Sequence, residues 1–149
     1  MNETAGDVVI REGIGNMDFM RITEMLSKAF WSEGIGEAEV VNGAKNSALV
    51  VGTFLNGVQI GYARVISDKT RFAYILDVYV DEAYRNSGSG KKMMEYILEH
   101  KELKPVYQWY LVTSRAHGLY RKYGFAPAES PENILVMKRP KLMYCKGGI

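Results

Sequence analysis

The stretch from Tyr74 to His100, YILDVYVDEAYRNSGSGKKMMEYILEH, constrains the fold most, because its apolar pattern changes character across a glycine-rich loop. From Ile75 to Val80 the residues are mostly apolar and β-branched or aromatic, a run too short for a helix and consistent with a buried strand. Asp81 and Glu82 end it. The loop Arg85-Asn86-Ser87-Gly88-Ser89-Gly90 then leads into Met93, Met94, Ile97 and Leu98 at helical spacing, opposite Lys92, Glu95 and Glu99. The spacing predicts a helix that begins near Ser89.

A helix N-terminus leaves backbone N–H groups unpaired and carries a partial positive charge, so it attracts anions such as phosphate. Gly88 and Gly90 let a pyrophosphate lie against the backbone and permit the positive φ that turns successive N–H groups inward. Arg85, Lys91 and Lys92 add positive charge beside them. A glycine-punctuated turn with no ligand is the plain alternative. The loop is neither a Walker loop, which would close on Gly-Lys-Ser/Thr, nor a dinucleotide fingerprint with its G-x-G-x-x-G spacing.

With 149 residues, 47% of them hydrophobic, the chain supports one core, and a single domain spanning 1–149 is expected, with a loosely held tail from about 140. Net charge is +2 and the basic residues are scattered, so nucleic-acid binding is not expected. No apolar run approaches the length that spans a bilayer, and MNETAGDVVI lacks a signal-peptide pattern, so no membrane association and a cytoplasmic location are expected. The single cysteine, Cys145, excludes an internal disulfide and a CxxC-type metal site.

Along the chain, Val8 to Arg11 reads as a first strand. Asp18 then caps a helix whose core face is Phe19, Ile22, Met25, Leu26 and Ala29, running through to Phe30. Trp31-Ser32-Glu33-Gly34-Ile35-Gly36 is a loop able to form a lid, followed by a weaker helical segment from Glu37 to about Lys45. Glu33, Glu37 and Glu39 would give that lid a negative face suited to a cationic substrate, unless they are ordinary solvated carboxylates. Trp31 either seals the core or walls an acceptor site. Ser47 to Phe54 and Val58 to Ile66 read as strands joined by the hairpin signal Leu55-Asn56-Gly57, and a third strand follows from Phe72. After the helix, Val106 to Val112 reads as a strand parallel to Tyr74–Val80, reached by a right-handed crossover. Ser114 to Phe125 reads as a short helix closed by Gly124, and Ile134 to Lys138 as a last strand.

Two motifs now coincide: Arg-x-x-Gly-x-Gly after a strand, and Ala-x-x-Leu-Tyr-x-x-Tyr-Gly-Phe some thirty residues later after a parallel strand. Together they resemble the GNAT superfamily of N-acetyltransferases, over most of the chain. The resemblance implies an α/β fold: a mixed sheet of six or seven strands with helices on both faces, splayed between Tyr74–Val80 and Val106–Val112. It implies acetyl-CoA as cosubstrate and no metal. The N–H groups of Arg85, Asn86, Ser87, Gly88, Ser89 and Gly90, with Lys91, would hold the pyrophosphate. The strand Val78, Tyr79 and Val80 would pair with the pantetheine arm and stabilise the thioester oxyanion.

Acetyl transfer to an amine needs a neutral nucleophile and a proton for the leaving thiolate. Tyr120 matches the family's general acid; its ordinary pKa of about 10 exceeds the roughly 8.5 of an alkyl thiol, so it keeps its proton at neutral pH yet can pass it on. Asp77 is a candidate base or ammonium-binding residue, and His117, three residues before Tyr120, is a second titratable candidate. Trp31, Glu33 and Asp77 are the expected acceptor-binding residues. Asn86, Ser87 and Ser89 depart from the usual loop, although the serine hydroxyls are able to add hydrogen bonds to phosphate, and Thr113 stands where relatives often carry asparagine near the cofactor arm. The expected partner is a small-molecule amine, with a protein lysine, a protein N-terminus or a non-catalytic sensor role as alternatives, in a monomer or homodimer.

Overall fold

The computed structural model describes residues 7–142, so Cys145 and the end of the tail lie outside the described residues. The chain divides into two compact units, one ending at Leu111 and the other beginning at Val112. The first unit holds an open five-stranded sheet in the order β1-β2-β3-β4-β5. Its strands are β1 (Val9–Glu12), β2 (Leu49–Leu55), β3 (Val58–Ser67), β4 (Phe72–Val80) and β5 (Gln108–Tyr110). The first four are antiparallel neighbours and β5 runs parallel to β4. The β2–β3 turn places both Asn56 (φ 52°) and Gly57 (φ 82°) in the left-handed region, the geometry that matches strand twist in a two-residue hairpin.

Helices cover both faces, which is why β2 reads LVVGTFL with almost every residue buried rather than alternating. On one face α1 (Phe19–Ser27) and α2 (Glu37–Lys45) build a core in which Ile22, Met25, Leu26, Val40 and Ala44 pack with Val50, Tyr62 and Tyr79. On the other, α3 (Ser89–Leu98) lies on Thr53 and Gly61. Asp18 caps α1 by accepting the Arg21 N–H at 3.1 Å, as expected of that residue type.

Three sequence expectations need correction. The first helix stops at Ser27 because its carbonyls find other donors: the Ser32 hydroxyl bonds Leu26 C=O at 2.7 Å and Gly34 N–H bonds Ser27 C=O at 3.1 Å. Ala29 remains buried, but Phe30 is 74% exposed and does not belong to the core face. The strand expected over Val106–Val112 is only Gln108–Tyr110, since Val106 N–H is used in a turn to Leu103 C=O. The last strand does not form among the described residues: Ile134 to Met137 is exposed and unpaired in any ladder, so the sheet has five strands, not six or seven. His100 bonds Glu12 Oε1 through Nε2 at 3.0 Å, while its Nδ1 accepts the Glu102 N–H.

In the second unit α4 (His117–Arg121) ends in a Schellman arrangement. Gly124, at φ 97°, donates to Arg121 C=O at 3.0 Å and Phe125 N–H reaches back to Tyr120 C=O at 3.3 Å. The Tyr120 and Phe125 rings meet edge to face, 6.1 Å between centroids. The Tyr-x-x-Tyr-Gly-Phe motif thus fixes the position of the Tyr120 ring.

Candidate active site

The sheet opens beside β4. Pairing with β5 covers only Phe72, Ala73 and Tyr74, so the ladder on that side stops where β4 continues to Val80. On its other side β4 carries a bulge: Tyr62 pairs with Tyr79 and Arg64 with Leu76, which sets Asp77 and Val78 together against Ala63. A bulge leaves its extra residue outside the ladder and bends the strand. Asp77 sits at φ 56°, a conformation that costs a non-glycine residue about 1–2 kcal/mol.

Both Asp77 oxygens are engaged. Arg64 Nε donates to Oδ2 at 2.7 Å and Trp31 Nε1 to Oδ1 at 3.2 Å. Arg64 also donates through Nη1 to Gly43 C=O and Ser47 Oγ, both at 3.3 Å, which ties the pair to α2. Its place within the largely apolar β3 was the one sequence signal for this pair, since a part-buried charge inside a strand covered on both faces must be compensated. Trp31 is half exposed and packs its ring edgewise on Phe30 and Tyr79. Beneath them lies Tyr62, fully buried, whose hydroxyl has no hydrogen-bond partner among the described residues. Burial, the largest cause, pushes its pKa well up; Arg64 opposes the shift and Asp77 adds to it. The structure therefore brings the Trp31 and Asp77 side chains together. Glu33 stands exposed in the same segment, and Glu37 and Glu39 occupy the first turn of α2, where they complement its dipole.

The loop after β4 forms a cradle. Asp81 accepts the Ala83 N–H at 2.8 Å and pairs with Arg21 of α1. These two, Ala83 first, hold its pKa below the ordinary value against the effect of burial. Asn86 (φ 74°) and Gly88 (φ 87°) are left-handed, and Gly88 caps α3. A Cβ built on Gly88 or on Gly90 meets nothing within 4 Å, so the space over the first turn of α3 is open. Gly90 and Lys91 supply first-turn N–H groups that have no intrahelical acceptor. Two side chains differ from expectation: Ser89 is buried with its hydroxyl bonded to Thr53, and Arg85 is anchored, its Nε on Val80 C=O at 2.9 Å and its guanidinium 5.2 Å from the Tyr79 ring centre. Ser87 Oγ accepts the Ser89 N–H at 3.3 Å. The loop is thus held by side chains folded inward and by the Ser87 and Ser89 N–H groups, which bond Tyr84 C=O and Ser87 Oγ.

In the second unit Tyr120 is 9% exposed, and burial raises its pKa. His117 is exposed on the same short helix, and Thr113 Oγ is used locally, accepting the Ala116 N–H at 3.0 Å.

The open mixed sheet, the bulge in β4 and the glycine-capped helix that follows it match the fold that the two sequence motifs imply. The model of the acetyltransferase (GNAT) domain matches residues 46–127, and the chain belongs to the GNAT family of acetyltransferases. A search of curated proteins finds no match. Among solved structures, a GNAT-family acetyltransferase from Xanthomonas campestris pv. campestris is 35% identical, covering 89% of this chain and 94% of its own, with a TM-score of 0.84. A Staphylococcus aureus protein of unknown function, described as a probable acetyltransferase, is 24% identical over 89% of this chain and 99% of its own, at 0.73. A predicted acetyltransferase from Clostridium acetobutylicum, solved with acetyl-CoA, is 18% identical over 88% of this chain and 96% of its own, at 0.67.

Proposed function

We propose that the protein transfers an acetyl group from acetyl-CoA to a primary amine of a small molecule, by direct attack of the amine on the thioester. The observation that carries this reading is the pairing of the open cradle at Asn86–Lys91 with the unladdered edge of β4 from Ile75 to Val80. Backbone N–H groups of the cradle bind the pyrophosphate, and the β4 edge receives the pantetheine amide as an added strand.

Asp77 holds and orients the incoming ammonium, with Trp31 as the wall beside it. Arg64 and Trp31 occupy one site on each carboxylate oxygen, and a carboxylate has about four acceptor sites in all, so one further donor is accommodated. The neutral amine attacks the carbonyl carbon, and the N–H of Val78 at the bulge stabilises the oxyanion. Collapse breaks the carbon–sulfur bond and Tyr120 gives its proton to the departing thiolate; burial keeps that phenol protonated until it is needed. Two protons leave the nitrogen: one before attack, passing to water directly or by way of exposed His117, and one from the tetrahedral intermediate, which through water restores the Tyr120 phenol. The small-molecule assignment rests on the part-buried position of Asp77, whose side chain is 14% exposed behind Trp31.

Calorimetry on the Gly90→Ala variant tests the cradle. The methyl meets nothing in the protein and sits in a helix, so stability holds or rises by up to about 1 kcal/mol. Acetyl-CoA affinity is expected to fall about tenfold or more, since the methyl occupies the phosphate's path. Unchanged affinity would show that the anion lies elsewhere. Free CoA release across a panel of amines tests the reaction itself.

A further inference from the structure

Tyr62 is the one buried side-chain polar group without a hydrogen-bond partner among the described residues. The residue is fully buried, and leaving a buried hydroxyl unpaired costs about 1–3 kcal/mol. Phenylalanine would fill the same volume without that cost. The residue lies across the ladder from Tyr79 and two positions from Arg64 on the same face of β3, beneath the Trp31–Gly36 segment. Its neighbours Ile22, Met25, Leu26, Val40 and Val50 are apolar, and Ile35 of that segment packs over them.

We propose that the Tyr62 hydroxyl is an acceptor-specificity group: it hydrogen-bonds the polar tip of an amine whose body is otherwise apolar, while the amino end rests at Asp77. This deepens the proposed function and rests on its assignment of Asp77 to the acceptor. A lone hydroxyl among aliphatic side chains selects strongly, because a ligand that lacks the matching group leaves the hydroxyl unpaired. Access requires the Trp31–Gly36 segment to lift. Trp31 is held to the site by the 3.2 Å hydrogen bond to Asp77 and edgewise ring contacts, Ser32 and Gly34 tie the segment to the end of α1, and Gly34 at φ 74° gives it a point of adjustment. Lifting Trp31 also frees a second acceptor position on Asp77 Oδ1 for the ammonium. The substrate class is therefore a small amine bearing one hydroxyl or carbonyl at the end of an aliphatic or aromatic body.

The test compares wild type with Tyr62→Phe on matched amines that differ by one hydroxyl: 5-aminopentanol against pentylamine, and tyramine against 2-phenylethylamine. The readouts are kcat/KM for each amine, acetyl-CoA affinity by calorimetry, and Tm. Wild type is expected to prefer the hydroxylated member of at least one pair about tenfold or more, and Tyr62→Phe to abolish that preference by losing activity on the hydroxylated amine alone. Acetyl-CoA affinity stays within about twofold, and Tm holds or rises because an unpaired buried polar atom has been removed. A fall in Tm with equal losses on both members overturns the inference, since the hydroxyl then has a structural partner. Equal activities of the two proteins on every amine overturn it as well. If wild type acetylates other amines without preferring a hydroxylated one, the inference alone fails. If wild type binds acetyl-CoA but acetylates no amine at all, the transferase reading fails with it.

Discussion

Gly61 is where the cradle's helix meets the sheet, and substituting it with alanine should couple stability to cofactor binding. A Cβ at this position would lie closer to Thr53 Oγ1 than any real contact allows, 2.8 Å from Ser89 Oγ and 3.2 Å from Met93 Cε. All three neighbours are buried, and Ser89 is the first residue of α3. Only the Met93 methyl is the tip of a flexible side chain; Thr53 and Ser89, the two nearer neighbours, are short and bonded to each other. Overpacking of this kind costs about 1–3 kcal/mol, and forcing the Thr53–Ser89 hydrogen bond apart adds roughly 1 kcal/mol. A total near 3 kcal/mol corresponds to a fall in Tm of about 6–12 °C for a chain of this size. Differential scanning calorimetry measures the fall, and titration with acetyl-CoA measures the second effect. Because Ser89 must move, the N–H groups of the first turn shift, and affinity is expected to drop about tenfold. The variant Gly61→Ala, Thr53→Ala, Ser89→Ala removes both hydroxyls in the way; since it deletes both partners of one hydrogen bond, it should recover most of the lost stability. A Gly61→Ala protein with Tm within about 2 °C of wild type would refute the close packing of α3 on the sheet. A triple variant less stable than the single one would refute its assigned cause.

Three further outcomes follow from the site. Tyr120→Phe should lower kcat about 10²-fold or more with little change in acetyl-CoA affinity, as expected for loss of a proton donor; unchanged turnover in a steady-state assay removes Tyr120 from the mechanism. Asp77→Asn keeps a residue that tolerates φ 56° while deleting the charge, and should raise the acceptor KM about tenfold while leaving acetyl-CoA affinity within about twofold; parallel losses of both would show that Asp77 acts on the sheet as a whole. Finally, burial raises the pKa of Tyr62 and Tyr120, and the Glu12 hydrogen bond, followed by burial, pushes Tyr96 up to about 12. A raised phenol stays protonated in the folded chain when the unfolded chain has begun to ionise. The resulting stability is fully present below pH of about 10 and is lost as pH rises beyond it. Tm measured from pH 8 to 11 should therefore fall above pH of about 10, and a flat profile would contradict the burial of these hydroxyls.

The first four strands, the glycine-capped start of α3 and the α4 motif were legible in the sequence because each depends on local chemistry. Asn56-Gly57 satisfies a positive-φ turn by itself, Asp18 finds its N–H three residues on, and Gly124 closes a helix through its own φ. What stayed hidden depends on partners distant along the chain. Arg64 meets Asp77 only through the β3–β4 register, and Arg21 meets Asp81 across sixty residues. The Ser89 hydroxyl, which sequence reasoning turned toward phosphate, is claimed by Thr53 from a strand thirty-six residues earlier. Helix ends were misjudged for the same reason: nothing in the apolar spacing of α1 announces that Ser32 will turn back to cap Leu26. The apolar run Ile134–Met137 has the composition of a strand, yet composition supplies no hydrogen-bond partner, and none is formed among the described residues.

In the proposed reaction, the bulge at Asp77 lets one short segment of β4 serve two roles. A regular antiparallel strand points successive side chains to opposite faces and spends its N–H and C=O groups on neighbours. The extra residue here breaks both habits. It aims a carboxylate at Arg64 and Trp31 on the helix-covered face, and it takes Val78 out of the regular ladder beside an edge that β5 has already left. The left-handed φ at Asp77 opposes this arrangement, so the surroundings must enforce it. The ladder resumes on both sides, at Tyr79 and at Leu76, and Arg64 and Trp31 grip the side chain between them. Glycine would relieve the backbone and asparagine would tolerate it, but neither carries the charge that Arg64 balances. The residue is therefore explained by its charge rather than by its conformation, which is the physical reason to place the acceptor amine at Asp77.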